Sequence, residues 1–327
     1  MSEADYERGG TQKASYGPDE VVAVPCPYCG GNLATPLFQE YGSIEIVRCE
    51  CSQIYTSPRI RSPEEVYWGD ADAYFREARL IFEGKAPHHR DPNYLEELRL
   101  IERFRPPGTL LDVGCNMGML LRLARERGWD GVGVEPSSPL AGLAREHLGL
   151  EVLNCFLNEV PTSYDGTYDV VALSDVFEHV SEPLAMLADV RRLLKPEGIM
   201  YVKVPNALFN VFKQRVAWIR GRSLQHGVWD SYEHVVHYTD KTLRRMLAKG
   251  GFDVLRLITP RPVQIPVWHH HLGQYFLYPS PFALDWKRHL GRSACHLWGK
   301  VARVLRFGSV GYLSPSLAIV ARPTKPA

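Results

Sequence analysis

The sequence has no excess of either charge: 38 lysines and arginines stand against 37 aspartates and glutamates, a net of +1. A general nucleic-acid binder carries a basic surplus, so no nucleic-acid partner is expected. No early window joins a basic segment to a long apolar run, and residues 1–20 are polar and glycine-containing. The expectation is a disordered tail at 1–20, no secretory signal, no spanning helix, and a cytoplasmic protein that meets a membrane only at its surface. The dinucleotide fingerprint G-x-G-x-x-G is also missing, because the position two after Gly114 is Asn116. That weighs against a nicotinamide-dependent dehydrogenase. Cysteine is sparse, and four of the seven cluster near the start. This usage fits metal binding in a reducing compartment better than a disulfide frame.

What is present is enough apolar residue, 45% of 327, to bury a full core plus an accessory unit. The organising stretch is Thr109-Leu110-Leu111-Asp112-Val113-Gly114-Cys115-Asn116-Met117-Gly118. Residues 109–111 read as a short buried strand, two glycines flank a turn, and 117–127 has the apolar spacing of a helix. Such a strand, turn and helix start makes a place for a nucleotide-like ligand. Glycine lets the backbone come close, and free N–H groups at the helix start face the ligand. Asn116 tolerates left-handed backbone angles better than most residues. A second acid, Glu135, closes the apolar run 131–135, where it can accept both hydroxyls of a ribose. Strands and helices alternate through 108–204, which predicts a parallel sheet with crossovers. A helix at 140–148 is followed by strands at 151–153 and 168–173. The latter delivers Ser174, Asp175, Glu178 and His179 to the carboxyl end of the sheet, where ligands of such folds bind.

Residues 21–61 form a separate unit. Cys26 and Cys29 make a C-x-x-C knuckle followed by Gly30-Gly31, and Cys49 and Cys51 make a tighter C-x-C pair. Two such pairs read as a zinc ribbon in which four thiolates close a structural site with no position left for substrate. The alternative is four reduced, buried thiols.

The motif Leu111-Asp112-Val113-Gly114-Cys115-Asn116-Met117-Gly118 resembles the first motif of class I S-adenosylmethionine-dependent methyltransferases. So do Glu135, Asp175-Val176-Phe177-Glu178-His179-Val180, and Leu193-Leu194-Lys195-Pro196-Glu197-Gly198 before a strand ending Val204-Pro205-Asn206. The family usually has a third glycine where Asn116 sits. The resemblance implies a Rossmann-like, doubly wound, mostly parallel seven-stranded sheet with an antiparallel last strand, plus the small N-terminal zinc ribbon. It also implies that Asp112 and the turn through Gly114, Cys115, Asn116 and Gly118 seat the methionine part of S-adenosylmethionine. Glu135 would hold the ribose, Cys155 and Phe156 would lie by the adenine, and Ser174 and Asp175 would complete the cofactor edge. The cysteine pairs, with Tyr55-Thr56-Ser57-Pro58-Arg59 and Glu64-Glu65-Val66-Tyr67 after them, resemble the N-terminal module of a methyltransferase subgroup. Its members lie among sugar-, polysaccharide- and natural-product-modifying enzymes. The implied activity is methyl transfer to an oxygen or carbon of a small molecule, sugar or glycan. The alternative is a catalytically silent binding protein that keeps the fold.

The remaining segments are read as follows. Residues 62–107 are a helical connector or lid, with Tyr67, Trp68, Tyr74 and Phe75 as core or lid aromatics, a solvated loop at His88-His89, and a helix over 94–104. The methyltransferase domain takes 108–327, with a cap insertion at 207–237 and a C-terminal insertion at 260–310. Three histidines are candidates for catalysis: His179, His234 and His237. His179 is either a polar group beside the transferred methyl or a ring that ties its loop to the next helix, and the second is favoured. His234 and His237, three apart, can share a face of a turn as base, metal ligands or structural caps. The histidines at 269–271 fall in a proline-broken loop. Residues 287–306 form a basic helix, read either as a packing or homodimer helix or as a surface-lying helix that brings a lipid-linked substrate. A strand at 316–321 would close the sheet.

Overall fold

A computed structural model of the protein describes residues 15–61, 78, 80–85, 88–219, 228–262, 286–305 and 312–325. The expectations for Tyr67, Trp68, Tyr74, Phe75 and the histidines at 269–271 lie outside the described residues. In chain order the strands are β1 (Val21–Val22), β2 (Ala34–Glu40), β3 (Ile44–Cys49), β4 (Ile54–Thr56) and β5 (Arg59–Ile60). There follow α1 (Asp91–Ile101), β6 (Thr109–Val113), α2 (Met119–Glu126), β7 (Asp130–Val134), α3 (Ser138–Leu148), β8 (Glu151–Leu153), β9 (Tyr168–Ser174), α4 (Pro183–Leu193) and β10 (Leu194–Pro205). The chain continues through α5 (Ala207–Ile219), β11 (Val236–His237), α6 (Asp240–Lys249), β12 (Phe252–Ile258), α7 (Trp286–Val304) and β13 (Ser316–Pro323).

The central sheet has seven strands in the order β12-β13-β10-β9-β6-β7-β8. Strands β6 to β10 pair in parallel, while β13 runs antiparallel to both of its neighbours, β10 and β12. Because side chains alternate across a strand, each central strand feeds two cores. Leu111, Val171, Leu173, Met200 and Val202 face one side, against Leu187 and Val190 of α4 and Leu243 and Met246 of α6. Leu110, Val170, Ala172, Ile199 and Tyr201 face the other, against Leu98 of α1, Leu120 and Ala124 of α2 and Ala141 of α3. A sheet covered on both faces explains why its strands read as unbroken apolar runs.

The predicted first strand is longer than expected and carries Asp112 and Val113 within it. Helix α2 begins at Met119, because Gly118 is left-handed (φ 83°) and ends the turn there. Helix α1 begins at Asp91, earlier than its apolar spacing suggests. Pro92 sits in its first turn, where the missing N–H costs nothing.

A second sheet, in the order β11-β4-β3-β2, joins the cysteine-bearing region to the rest of the chain. Its edge strand β11 comes from residues 236–237 and pairs antiparallel with β4. No helix among the described residues is long and apolar enough to cross a membrane.

Candidate functional site

The turn after β6 is held entirely from within. Gly114, Asn116 and Gly118 all take positive φ, 66°, 52° and 83°. The asparagine thus adopts the left-handed angle anticipated for it, and its side chain accepts the Met117 N–H at 2.7 Å. Gly114 and Cys115 donate to the Val134 carbonyl, Asn116 donates to Glu135 Oε2 at 2.9 Å, and Gly118 donates to the Cys115 carbonyl. Every amide from 114 to 118 therefore has a protein acceptor, so the donors expected at the helix start can only be those of α2 itself, from Met119 onward. A phosphate needs such donors.

Glu135 is fully buried, and its other oxygen accepts the Ser137 N–H at 2.9 Å. One carboxylate thus pins both the turn and the start of α3. Its pKa is raised by burial, against the pull of the Ser137 and Asn116 amides. Asp112, buried in β6, is raised further by burial and by the negative charges of Glu97 and Glu135. Three buried acids behind one turn make a place that favours a cation. Cys115 turns its thiol onto β7, into the space that the missing side chain of Gly133 leaves.

In front of the sheet lies a buried ion chain that sequence reading did not find. Lys203 of β10 is 1% exposed, and its ammonium sits 3.0 Å from Glu97 of α1 and 2.8 Å from Asp175. Asp175 also pairs with Arg90. A lysine inside the apolar run 199–204 is the signal that could have revealed it, since a buried ammonium needs partners. His88 is buried too, bonded to Asp91 at 2.9 Å and stacked on Tyr94. The His88-His89 pair roofs a cavity; it is not a solvated loop.

Two cavities meet at the turn. One, about 500 Å³, is lined by Val134, Pro136, Cys155, Phe156 and Met186. The other, about 420 Å³, is lined by Asn116, Ser174, Glu178, His234, Lys213 and Arg292 among others. Gly114, Asp175, Val176, His179 and Glu233 border both. A Cβ at Gly114 would come within 2.7 Å of Val176, so this junction requires glycine. Asp112, Gly118, Glu135 and His237 line neither cavity.

The second cavity holds the chemistry. Glu178 is 2% exposed, and neither of its carboxylate oxygens has a hydrogen-bond partner. Burial pushes its pKa up to about 8. His179 bonds the Glu233 carbonyl through Nδ1 (3.2 Å), and His234 bonds the Trp229 carbonyl through Nδ1 (3.2 Å). Carbonyls only accept, so both rings carry their proton on Nδ1, and Nε2 of His179 and of His234 lies 4.0 Å from the Glu178 and Glu233 carboxylates, respectively. Burial holds His179 down to about 4, and burial with the neighbouring histidines holds His234 well below its usual range. Glu178, His179 and His234 each bring a ligand atom to within 4.8 Å of the others. Ser174 Oγ is also buried without a partner. His234 thus converges with His179, not with His237.

His237 is a link, not a member of this group. The Thr56 hydroxyl donates to the His234 carbonyl at 2.8 Å, so the His237 Nε2–H donates to Thr56 Oγ1 at 3.1 Å. Gln53 donates to the His237 carbonyl. Farther back, the buried Glu40 carboxylate accepts the N–H groups of Val228, Trp229 and Ser231 and the Ser231 hydroxyl. The N-terminal sheet therefore carries the segment that presents His234.

At the other end of that sheet the four cysteines converge. Cys26 and Cys51 lie 3.6 Å apart, Cys29 and Cys49 3.5 Å apart, and all four sulfurs fall within 4.8 Å of one another. Tetrahedral Zn–S bonds of ~2.3 Å place sulfurs ~3.8 Å apart, close to the two separations measured between the C-x-x-C and C-x-C pairs.

A family model described as a methyltransferase domain matches residues 88–257, more than half of the chain. The chain belongs to that family, and its sheet order and central turn are those of class I S-adenosylmethionine-dependent methyltransferases. Among curated proteins it is similar to the ubiquinone biosynthesis O-methyltransferase of Methylococcus capsulatus, 32% identical over 151 residues. That match covers 44% of this chain and 62% of the relative. The enzyme of the same name from Cereibacter sphaeroides is 32% identical over 152 residues, covering 44% of this chain and 60% of the relative. The match thus spans less than two thirds of these relatives. A solved S-adenosylmethionine-dependent methyltransferase from Archaeoglobus fulgidus is 20% identical, with a TM-score of 0.44 over 74% of this chain and 98% of its own.

Proposed function

We propose that the protein transfers a methyl group from S-adenosylmethionine to a hydroxyl oxygen of a small molecule, and that Glu178 takes the hydroxyl proton. One observation carries this reading: a buried, unpartnered carboxylate in the cavity that adjoins the glycine turn. The cofactor, when bound, supplies an electrophilic methyl on a sulfonium. The 114–118 turn and Asp175 would shape its methionine end, and Asp112 and Glu135 would favour its positive charge. Pro136, Cys155 and Phe156 would enclose the adenine. Because Glu135 is fully buried, holding a ribose requires its carboxylate to share its lone pairs with the two amides it already accepts.

Glu178, with a pKa near neutrality, is matched to accept the acceptor's proton as the oxygen bonds to the methyl carbon. With the cofactor bound, the carbon–sulfur bond would break and leave its electron pair on the departing thioether. The His179 and His234 rings, which line the same cavity as Glu178, would orient the acceptor hydroxyl. The main task is alignment away from water, because the donor is already activated. Similarity to named O-methyltransferases supports oxygen as the atom methylated. A sugar or glycan acceptor is the finer version of this reading, supported by the polar lining that Lys213, Asn210 and Arg292 give the cavity. A second reading rests on the same cluster: two imidazole lone pairs and a carboxylate are a donor set for a divalent cation. We also infer one structural zinc on Cys26, Cys29, Cys49 and Cys51.

Calorimetry with S-adenosylmethionine tests the cofactor. The wild type should bind, and Glu135→Ala should lose about 30-fold or more in affinity, the worth of its charged hydrogen bonds. Absence of binding by the wild type overturns the proposal. A screen of phenols, nucleotide sugars and oligosaccharides for methyl incorporation, with and without a chelator, then identifies the acceptor and decides the cation reading. Cofactor binding without turnover on any acceptor would favour the silent binding protein.

A further inference from the structure

Helix α7 is inside out. Its inward side is small or polar: a Cβ on Gly299 would lie 2.6 Å from the Leu313 carbonyl oxygen, and Ala302 is fully buried. His296 bonds Ser314 at 3.0 Å, and Arg303 reaches Thr259 at 2.8 Å while stacking on Tyr312. Its outward side carries Leu290 (61% exposed), Leu297 (63%), Val301 (43%) and Val304 (82%). These fall within one narrow stripe of the helix, and the exposed Trp298 and Leu305 flank it. A helix of a soluble domain turns that stripe to the core, so this face is built for something else.

Helix α5 also ends on exposed apolar residues, Trp218 (81%) and Ile219 (75%). Both helices reach the second cavity, α5 through Phe209, Asn210 and Lys213 and α7 through Arg292. Charge selects the occupant. The α7 sequence holds five lysines and arginines and no acid, in a chain whose overall net charge is only +1; Arg292 turns to the cavity and Arg303 to Tyr312, while the exposed Lys300 borders the apolar stripe. A second copy of this chain meeting the face about a two-fold axis would set the basic residues of one helix against those of its copy. An anionic lipid surface would be attracted by them, and its acyl region would take up the apolar stripe.

The geometry points to α7 and the end of α5 as a docking face for anionic membranes, so that the acceptor is an amphiphile presented to the cavity from the lipid. The docking stands on the exposed face alone; the identity of the acceptor rests on the methyl-transfer reading above.

The test is co-sedimentation of the full chain with vesicles of phosphatidylcholine alone and with phosphatidylglycerol added, at low and high salt. Binding should be at least about 10-fold tighter to the anionic vesicles and weaken with salt. Leu297→Glu with Val301→Glu should abolish it, and so should Trp218→Ser with Ile219→Ser on the other helix. Both pairs replace exposed side chains, so the melting temperature and S-adenosylmethionine affinity should be unchanged. Failure to sediment with either vesicle overturns the proposal, as does undiminished binding by both variants. A concentration-dependent dimer that the α7 variant dissociates would assign the face to a second copy and overturn it equally. Cofactor affinity, read separately, keeps failure of docking distinct from failure of the methyltransferase reading.

Discussion

The 114–118 turn and the 228–238 segment wall the same cavity, yet they are held in opposite ways. The turn is fixed by its own neighbourhood: the Val134 carbonyl, the Glu135 carboxylate and the Asn116 side chain. The segment is fixed from between 178 and 191 positions away, by Thr56, Gln53 and Glu40. On the proposed reading, the cofactor half of the site is a local property of the central sheet. The acceptor half is a property of how the N-terminal sheet docks. The two should be separable.

The largest expected effect lies where they meet. Glu178→Gln should lower methyl transfer by about 10²–10⁴-fold, the usual worth of a positioned base, with S-adenosylmethionine affinity unchanged in calorimetry. Equal loss of affinity would mean that Glu178 belongs to the cofactor half.

Next comes a crossed pair. Glu40→Ala strands three buried N–H groups and should cost about 3 kcal/mol in denaturant unfolding. It should raise the acceptor KM while leaving cofactor affinity intact, the reverse of Glu135→Ala. If both variants weaken cofactor binding alike, the separation fails.

A smaller effect should follow removal of metal. Zinc analysis should find one ion per chain, and chelation should raise hydrogen exchange in 228–238 before it touches 109–134. Uniform loss of protection would show that the two regions unfold as one.

The smallest effect is in pH. Burial holds His237 down to about 3, below its unfolded value near 6.5. Its contribution to stability is therefore full above about pH 6.5 and is lost as pH falls toward 3. His237→Gln should flatten that limb by up to about 1.4 kcal/mol per pH unit. An unchanged slope would remove His237 as the link between the sheets.

This contrast also explains what could be read from the sequence. The strand, turn and helix around Gly114 and the acid at Glu135 depend on short spacings, so pattern alone locates them, whereas Cys155 and Phe156 come only from the family resemblance. Four cysteines in two pairs announce their convergence for the same reason. The Glu97–Lys203–Asp175 chain, the roof at His88 and the grip of Glu40 on Trp229 depend on which distant elements become neighbours. No local spacing encodes that. His237 misled because its three-residue distance from His234 suggested a shared task, whereas β11 pairing turns it toward Thr56.

Lys203 sets a limit on how far this chain can be trimmed. Its ammonium, beneath the front of β10, is neutralised partly by Glu97, which arrives on a helix preceding the first strand of the central sheet. A truncation starting at Thr109 would remove Glu97 and leave the Lys203 ammonium with Asp175 as its remaining acidic partner, and it would also uncover the sheet face that Leu98 and Ile101 of α1 cover. The smallest autonomous unit must therefore begin upstream of Asp91, and limited proteolysis should leave a resistant fragment that retains α1.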